Sequence, residues 1–116
     1  MRVAITSQNF CTVTSHAGRA RRFLLVDTGL QSVEARRLDL DPEFAMHGFD
    51  DAAPHPLDGV DVLITGSAGE GLTRRLARRG IRVVCTAETE PTRAVEDFLN
   101  GCLKPAPPHE HGDCAH

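Results

Sequence analysis

A chain of 116 residues with 41% hydrophobic content can build one compact domain, with or without a tail. It has neither Trp nor Tyr, so its core must be aliphatic with a few Phe, and a net charge of −3 disfavours nucleic acid as a partner. The amino-terminal MRVAITSQ lacks the apolar stretch of a secretory signal and no run reaches the length of a membrane span, so a cytoplasmic location with no membrane partner is expected.

Residues 2–6 read as a buried strand that starts almost at the first residue. A second apolar run, residues 23–26, is closed by the turn signal Asp27-Thr28-Gly29, and residues 32–38 alternate weakly enough to form a hairpin partner for it. Asp41-Pro42 has the form of an N-cap followed by proline at the first helical position, which predicts a short helix through Phe44, Ala45 and His47. Pro54 and Pro56 then prevent regular structure. Residues 60–65 form the next buried strand, Gly66-Ser67-Ala68-Gly69 turns it, and residues 70–79 predict a helix with Leu72 and Leu76 one turn apart. Arg74, Arg75, Arg78 and Arg79 are expected on its solvated face. Gly80 stands where a left-handed cap would end that helix, and residues 81–85 are another buried strand. Strand, helix and strand in so short a span make a βαβ unit with parallel strands. Pro91 opens a final helix whose apolar face carries Ala94, Val95, Phe98, Leu99 and Cys102, and Pro105-Ala106-Pro107-Pro108 ends it. The elements add up to an α/β domain over residues 1–103 with a mixed sheet of about five strands in three layers. Residues 104–116 are a His/Cys-rich polar tail, expected to be disordered without a ligand.

Three constellations could carry chemistry. The first lies between the first two strands, where Cys11 offers a thiolate, His16 an imidazole, Gly18 a tight turn, and Arg19, Arg21 and Arg22 a set of forked cations for an anionic ligand. Its bland alternative is a polar loop with a hydrogen-bonded His and solvent-facing arginines. The second is the turn from Gly66 to Gly69, where backbone N–H groups between a strand and a helix could face an anion. Its order, GxxGxG, is neither a dinucleotide fingerprint nor a P-loop, so a plain strand-to-helix turn is the alternative. The third is the tail, whose His109, His111, Cys114 and His116 could chelate a divalent transition metal, although their spacing matches no closed zinc motif. The four cysteines, Cys11, Cys85, Cys102 and Cys114, lack any CxxC pair, which in a reducing compartment argues against structural disulfides. Two-metal nuclease chemistry lacks its converging carboxylates: the first strand carries none, and Asp27 and Asp61 stand at strand ends without evident partners. Nucleophilic hydrolysis lacks a GxSxG elbow and a third group to orient a Cys11–His16 pair.

Val3-Ala4-Ile5, then Thr14-Ser15-His16-Ala17-Gly18-Arg19-Ala20, then Phe23-Leu24-Leu25-Val26-Asp27 resemble the dinitrogenase iron–molybdenum cofactor-binding family, which contains NifX, NafY and the carboxy-terminal part of NifB. Gly59-Val60-Asp61-Val62-Leu63-Ile64-Thr65-Gly66, Gly80-Ile81-Arg82-Val83, Ala94-Val95 and Phe98-Leu99-Asn100-Gly101 extend the likeness to about residue 103. The specific piece is the S-H-x-G-R-A stretch. The resemblance implies a ribonuclease-H-like α/β/α fold without nuclease residues. It also implies non-enzymatic binding and carriage of iron–molybdenum cofactor, or an iron–sulfur precursor cluster, in nitrogenase cofactor assembly. Nitrogenase maturation or target proteins would be the partners, and a homodimer is left open. His16 becomes the leading ligand, with Arg19 beside it. Many members have a helix between the third and fourth strands introduced by a His-Gly segment; Met46-His47-Gly48 matches that segment and adds His47 to the candidates, but Pro54 and Pro56 leave little room for the helix. A metal-sensing or metal-delivery module acting through the tail is the alternative function.

Overall fold

The computed structural model describes residues 1–17, 20–27, 35–41, 54–103 and 105. Five strands form one mixed sheet: β1 (Arg2–Thr6), β2 (Arg22–Asp27), β3 (Ala35–Asp39), β4 (Val62–Thr65) and β5 (Arg82–Cys85), in the order β3-β2-β1-β4-β5. β1, β2 and β3 pair antiparallel, while β4 is parallel to β1 and β5 is parallel to β4. Among the described residues two helices accompany it, α1 (Glu70–Arg78) between β4 and β5 and α2 (Pro91–Leu99) after β5. No described helix is long and apolar enough to cross a membrane.

Strand alternation sorts the apolar residues into two cores, one on each face of the sheet. Ala4, Phe23 and Leu63 point to one side and pack with Leu76 of α1, together with Ala17, Leu40, Leu57 and Ile81. Val3, Ile5, Leu24, Val26, Val62 and Ile64 point to the other and pack with Ala94 and Val95 of α2. The result is the three-layer α/β architecture that the sequence predicts. Phe23 is fully buried, and a side chain of that size contributes about 2–3 kcal/mol on leaving water.

Both helices end in the same way. Gly80 has φ +80, its N–H donates to the Ala77 carbonyl, and the Ile81 N–H reaches the Leu76 carbonyl. Gly101 has φ +74, with the Gly101 N–H on the Phe98 carbonyl and the Cys102 N–H on that of Asp97. Each is a left-handed cap that satisfies two orphan carbonyls. At the start of α2, Pro91 occupies the first turn and the Glu90 carboxylate accepts from the Arg93 N–H at 2.7 Å.

Several expectations need correction. The apolar face of α2 is shorter than its periodicity suggests, because the Gly101 cap stops the helix at Leu99: Leu99 is 49% exposed and Cys102 is exposed beyond the helix. Arg79 is not solvated. It caps α1, its side chain is 11% exposed, and it donates to Asp58 at 2.9 Å. Asp61 does have a partner, the Arg2 backbone N–H at 2.8 Å. The fourth strand starts at Val62 rather than residue 60, because Val60 closes a turn by donating to the Leu57 carbonyl after Gly59 at φ +94. The helix expected through Phe44, Ala45 and His47 and the polar tail other than Pro105 lie outside the described residues.

Candidate functional site

β1, β3, β4 and β5 all end at one edge of the sheet, and there the strand order reverses between β1 and β4. Open α/β sheets bind ligands at such a switch point. Here the chain leaving β1 loops out and returns to lie across it. The loop is built by local polar contacts. The Ser7 N–H donates to the Arg22 carbonyl at 3.0 Å, and its hydroxyl donates to the Thr12 carbonyl at 2.6 Å. The Asn9 side-chain oxygen accepts from the N–H groups of Cys11 and Thr12, both at 2.9 Å, forming an Asx turn that leaves Cys11 exposed.

The returning segment is then stitched to both sides of the switch point. The Thr14 N–H donates to the Thr6 carbonyl at 2.8 Å, and the Thr14 carbonyl accepts from the Gly66 N–H at 3.0 Å. Beneath it the hydroxyls of Thr6 and Thr65, both buried, lie 2.8 Å apart, and that of Thr6 donates to the Thr14 carbonyl at 2.6 Å. The His16 N–H donates to the Ser67 hydroxyl at 2.9 Å, and the Ala17 N–H to the Ser67 carbonyl at 3.1 Å. His16 is thus held exposed at the centre of this edge with φ 61, a left-handed backbone conformation that non-glycine residues seldom adopt. Strain of this kind clusters at functional sites.

Gly66 owes its place to this close approach. A Cβ there would stand 2.6 Å from the Ser15 hydroxyl and 3.3 Å from both the Ser15 Cα and the Thr14 carbonyl oxygen. Its N–H faces the loop, as the Thr14 contact shows. Gly69 is the N-cap of α1 and has no side chain to cap with; its carbonyl accepts from Thr73.

Beside the loop lies an open depression of about 360 Å³. Val13 and Ser15 wall it on one side, Gly66 and Ser67 at the floor of the switch point, and residues 86–89 on the other side. The Val13 N–H donates to the Thr89 carbonyl at 2.8 Å and joins the two walls. Among the described lining residues Glu88 contributes the one carboxylate, and its oxygen accepts from the Thr89 and Glu90 N–H groups at 2.9 and 3.2 Å. Nothing in the sequence pairs residues 86–89 with the first loop; the parallel sheet does.

The arginines divide by role. Arg22 is tied to structure: it donates to the Gln8 carbonyl at 3.0 Å and pairs with Asp39 at 3.5 Å, across the β2–β3 register. Its guanidinium and that of Arg37 stand 5.9 and 5.2 Å from the centre of the Phe10 ring, and Phe10 is the other non-glycine residue at positive φ, 57, among the described residues. Arg37, which sequence reading passed over, faces the same side of the sheet because it pairs with Leu24. Arg21 is half-buried, and its N–H donates to the Gln8 side chain at 3.0 Å. Gly18, Arg19, His47, His109, His111, Cys114 and His116 lie outside the described residues. Among the described residues, no three His, Cys, Asp or Glu side chains come together as a metal site.

Comparison with solved structures finds the same fold elsewhere. The crystal structure of PH0822 is similar with a TM-score of 0.71 and 24% identity, covering 90% of this chain and 94% of that one. The apo form of the orange protein from Desulfovibrio gigas is similar with a TM-score of 0.63 and 26% identity, covering 90% and 92%. A putative NifB protein from Thermotoga is similar with a TM-score of 0.64 and 23% identity, covering 94% and 97%. No curated protein matches the chain. The family model for dinitrogenase iron-molybdenum cofactor matches residues 1–101, a span that takes in the loop, the switch point and both helices. The chain belongs to that family.

Proposed function

We propose that this protein binds and carries iron–molybdenum cofactor, or an iron–sulfur precursor cluster, during nitrogenase cofactor assembly, and acts by binding rather than by catalysis. The observation that carries this reading is His16, an exposed imidazole presented from a strained backbone at the switch point and pinned there by Ser67. Membership of the cofactor family supports it. The cargo is an anionic metal–sulfur cluster carrying an organic acid; the loop offers a nitrogen ligand and the exposed Cys11 thiol, and Arg19 and Arg21 add guanidinium groups beside it in the sequence. A closed set of protein ligands would hold a cluster too firmly for a carrier. A single imidazole with an electrostatic surround leaves the cargo free to pass to nitrogenase maturation or target proteins in the cytoplasm.

Anaerobic titration of the metal-free protein with isolated iron–molybdenum cofactor, followed by electron paramagnetic resonance, tests this. The parent protein is expected to change the spectrum at one equivalent. His16→Ala is expected to weaken binding at least tenfold, about 1.4 kcal/mol. Equal binding by His16→Ala removes His16 as the ligand, and an unchanged spectrum with the parent removes this cargo.

A further inference from the structure

β3 is an outer strand of the sheet, with β2 on one side only. The Leu40 N–H donates to the Arg21 carbonyl at 2.8 Å, which fixes the phase of the antiparallel β2–β3 ladder. By alternation Arg36 and Leu38 turn their N–H and C=O groups toward β2, and Arg37 and Asp39 turn theirs outward. Those outward groups have no partner among the described residues. The side of β3 away from β2 is open, because Arg36, Arg37 and Asp39 are all exposed and Leu38 is only half-buried.

Alternation also sorts the side chains. Arg37 and Asp39 lie opposite Leu24 and Arg22, so both project on the α2 side of the sheet. Arg37 stacks on Phe10 and has no carboxylate partner among the described residues. Asp39 meets Arg22 at 3.5 Å and still keeps 58% of its side chain exposed. Leu38 projects on the other side, against the core under α1.

Charge on an outer strand ordinarily discourages a second strand from adding to it. The order Arg37-Leu38-Asp39 reverses that for one partner in one register. When two copies of β3 pair antiparallel about a two-fold axis at Leu38, Arg37 of each copy lies directly opposite Asp39 of the other. Both pairs are opposite in charge, and each uses the outward N–H and C=O groups to make two hydrogen bonds. The two Leu38 residues meet on the axis as a non-hydrogen-bonded pair, where side chains come closest. Moving the axis to Arg36, Arg37 or Asp39 sets that residue against its own copy, and like charges directly opposite are destabilising. The strand is thus complementary to itself, as an isologous contact requires.

We propose that β3 is a self-association strand, to which a second copy of this chain adds antiparallel about Leu38, joining the two five-stranded sheets into one. Strand direction reverses across the axis, so the two His16 loops stand at opposite ends of the joined sheet and pairing leaves both open. The inference does not depend on the carrier reading. A single strand contact buries less than the roughly 1,600 Å² of a standard interface, so the association is weak.

Sedimentation equilibrium of the full chain from about 10 μM to about 1 mM tests this. A monomer–dimer equilibrium is expected within that range. Arg37→Asp and Asp39→Arg each set like charges opposite across the axis, and each is expected to weaken dimerisation at least tenfold. An equimolar mixture of the two variants restores opposite charges at both pairs, and is expected to dimerise as the parent does. Hydrogen exchange on the parent gives a reading that needs no variant to fold. The Arg37 and Asp39 amides are expected to exchange fast in dilute protein and to slow as dimer forms, while those of Arg36 and Leu38, held by β2, stay slow throughout. A chain that remains monomeric to about 1 mM overturns the inference. So does a dimer that both variants leave intact, a mixture of folded variants that does not recover, or exchange at Arg37 and Asp39 that ignores concentration.

Discussion

At the scale of single residues, His16 stands in a position that favours glycine. A left-handed backbone costs a non-glycine residue about 1–2 kcal/mol, and the hydrogen bonds from His16 and Ala17 to Ser67 offset that cost locally. The imidazole is therefore maintained against a conformational penalty, as a group retained for its chemistry would be. His16→Gly is expected to leave stability unchanged or raise it by up to about 1 kcal/mol, read by urea unfolding, while cofactor binding is lost. Destabilisation by more than about 1 kcal/mol would show that the ring is chiefly a structural part of the loop. Phe10, the second residue in such a conformation, has a different reason: its ring packs against the α2-side core and lies beneath Arg22 and Arg37.

At the scale of elements, the turn before β4 is held by charge. The Asp58 carboxylate accepts from the His55 N–H at 2.9 Å and from Arg79 at 2.9 Å, while the Leu57 N–H donates to Nδ1 of the buried His55. The His55 N–H holds the Asp58 carboxyl below its ordinary range; burial opposes it, and the Arg79 guanidinium adds to the lowering. A depressed carboxyl adds stability above its unfolded pKa of about 3.9, and that contribution disappears as pH falls through the folded value. Asp58→Asn is expected to cost about 1 kcal/mol at neutral pH, a figure kept small because the carboxylate is half-exposed, and the difference from the parent should close as pH falls through the lowered pKa of the folded carboxyl. Urea unfolding across pH checks this, and a gap that stays constant into acid would contradict it. This turn also marks where reading the sequence stops. Gly80, Gly101 and Pro91 announce their helix boundaries locally, so those elements are legible from spacing. The ion pair that joins Asp58 of the His55 turn to Arg79 at the far end of α1 comes from tertiary packing, and the pairing of Arg22 with Asp39 and the approach of Arg37 to Phe10 depend on strand register, none of which local spacing specifies.

At the scale of the whole molecule, the two halves of the candidate site come from distant parts of the chain. The S-H-x-G-R-A stretch points to His16 from sequence alone, whereas residues 86–89 join it because β4 and β5 run parallel to β1 and deliver their ends to the same edge. The turn at residues 55–58 precedes β4 and so lies toward the opposite edge, which makes it an internal reference. The most direct measurement is a map of backbone amide signals, recorded anaerobically with and without one equivalent of isolated iron–molybdenum cofactor. A cargo held at the switch point should broaden or shift residues 14–17, 66–67 and 86–89 and leave Leu57, Asp58 and Gly80 unchanged. Changes centred on Asp58 and Gly80, with the His16 loop unmoved, would contradict it.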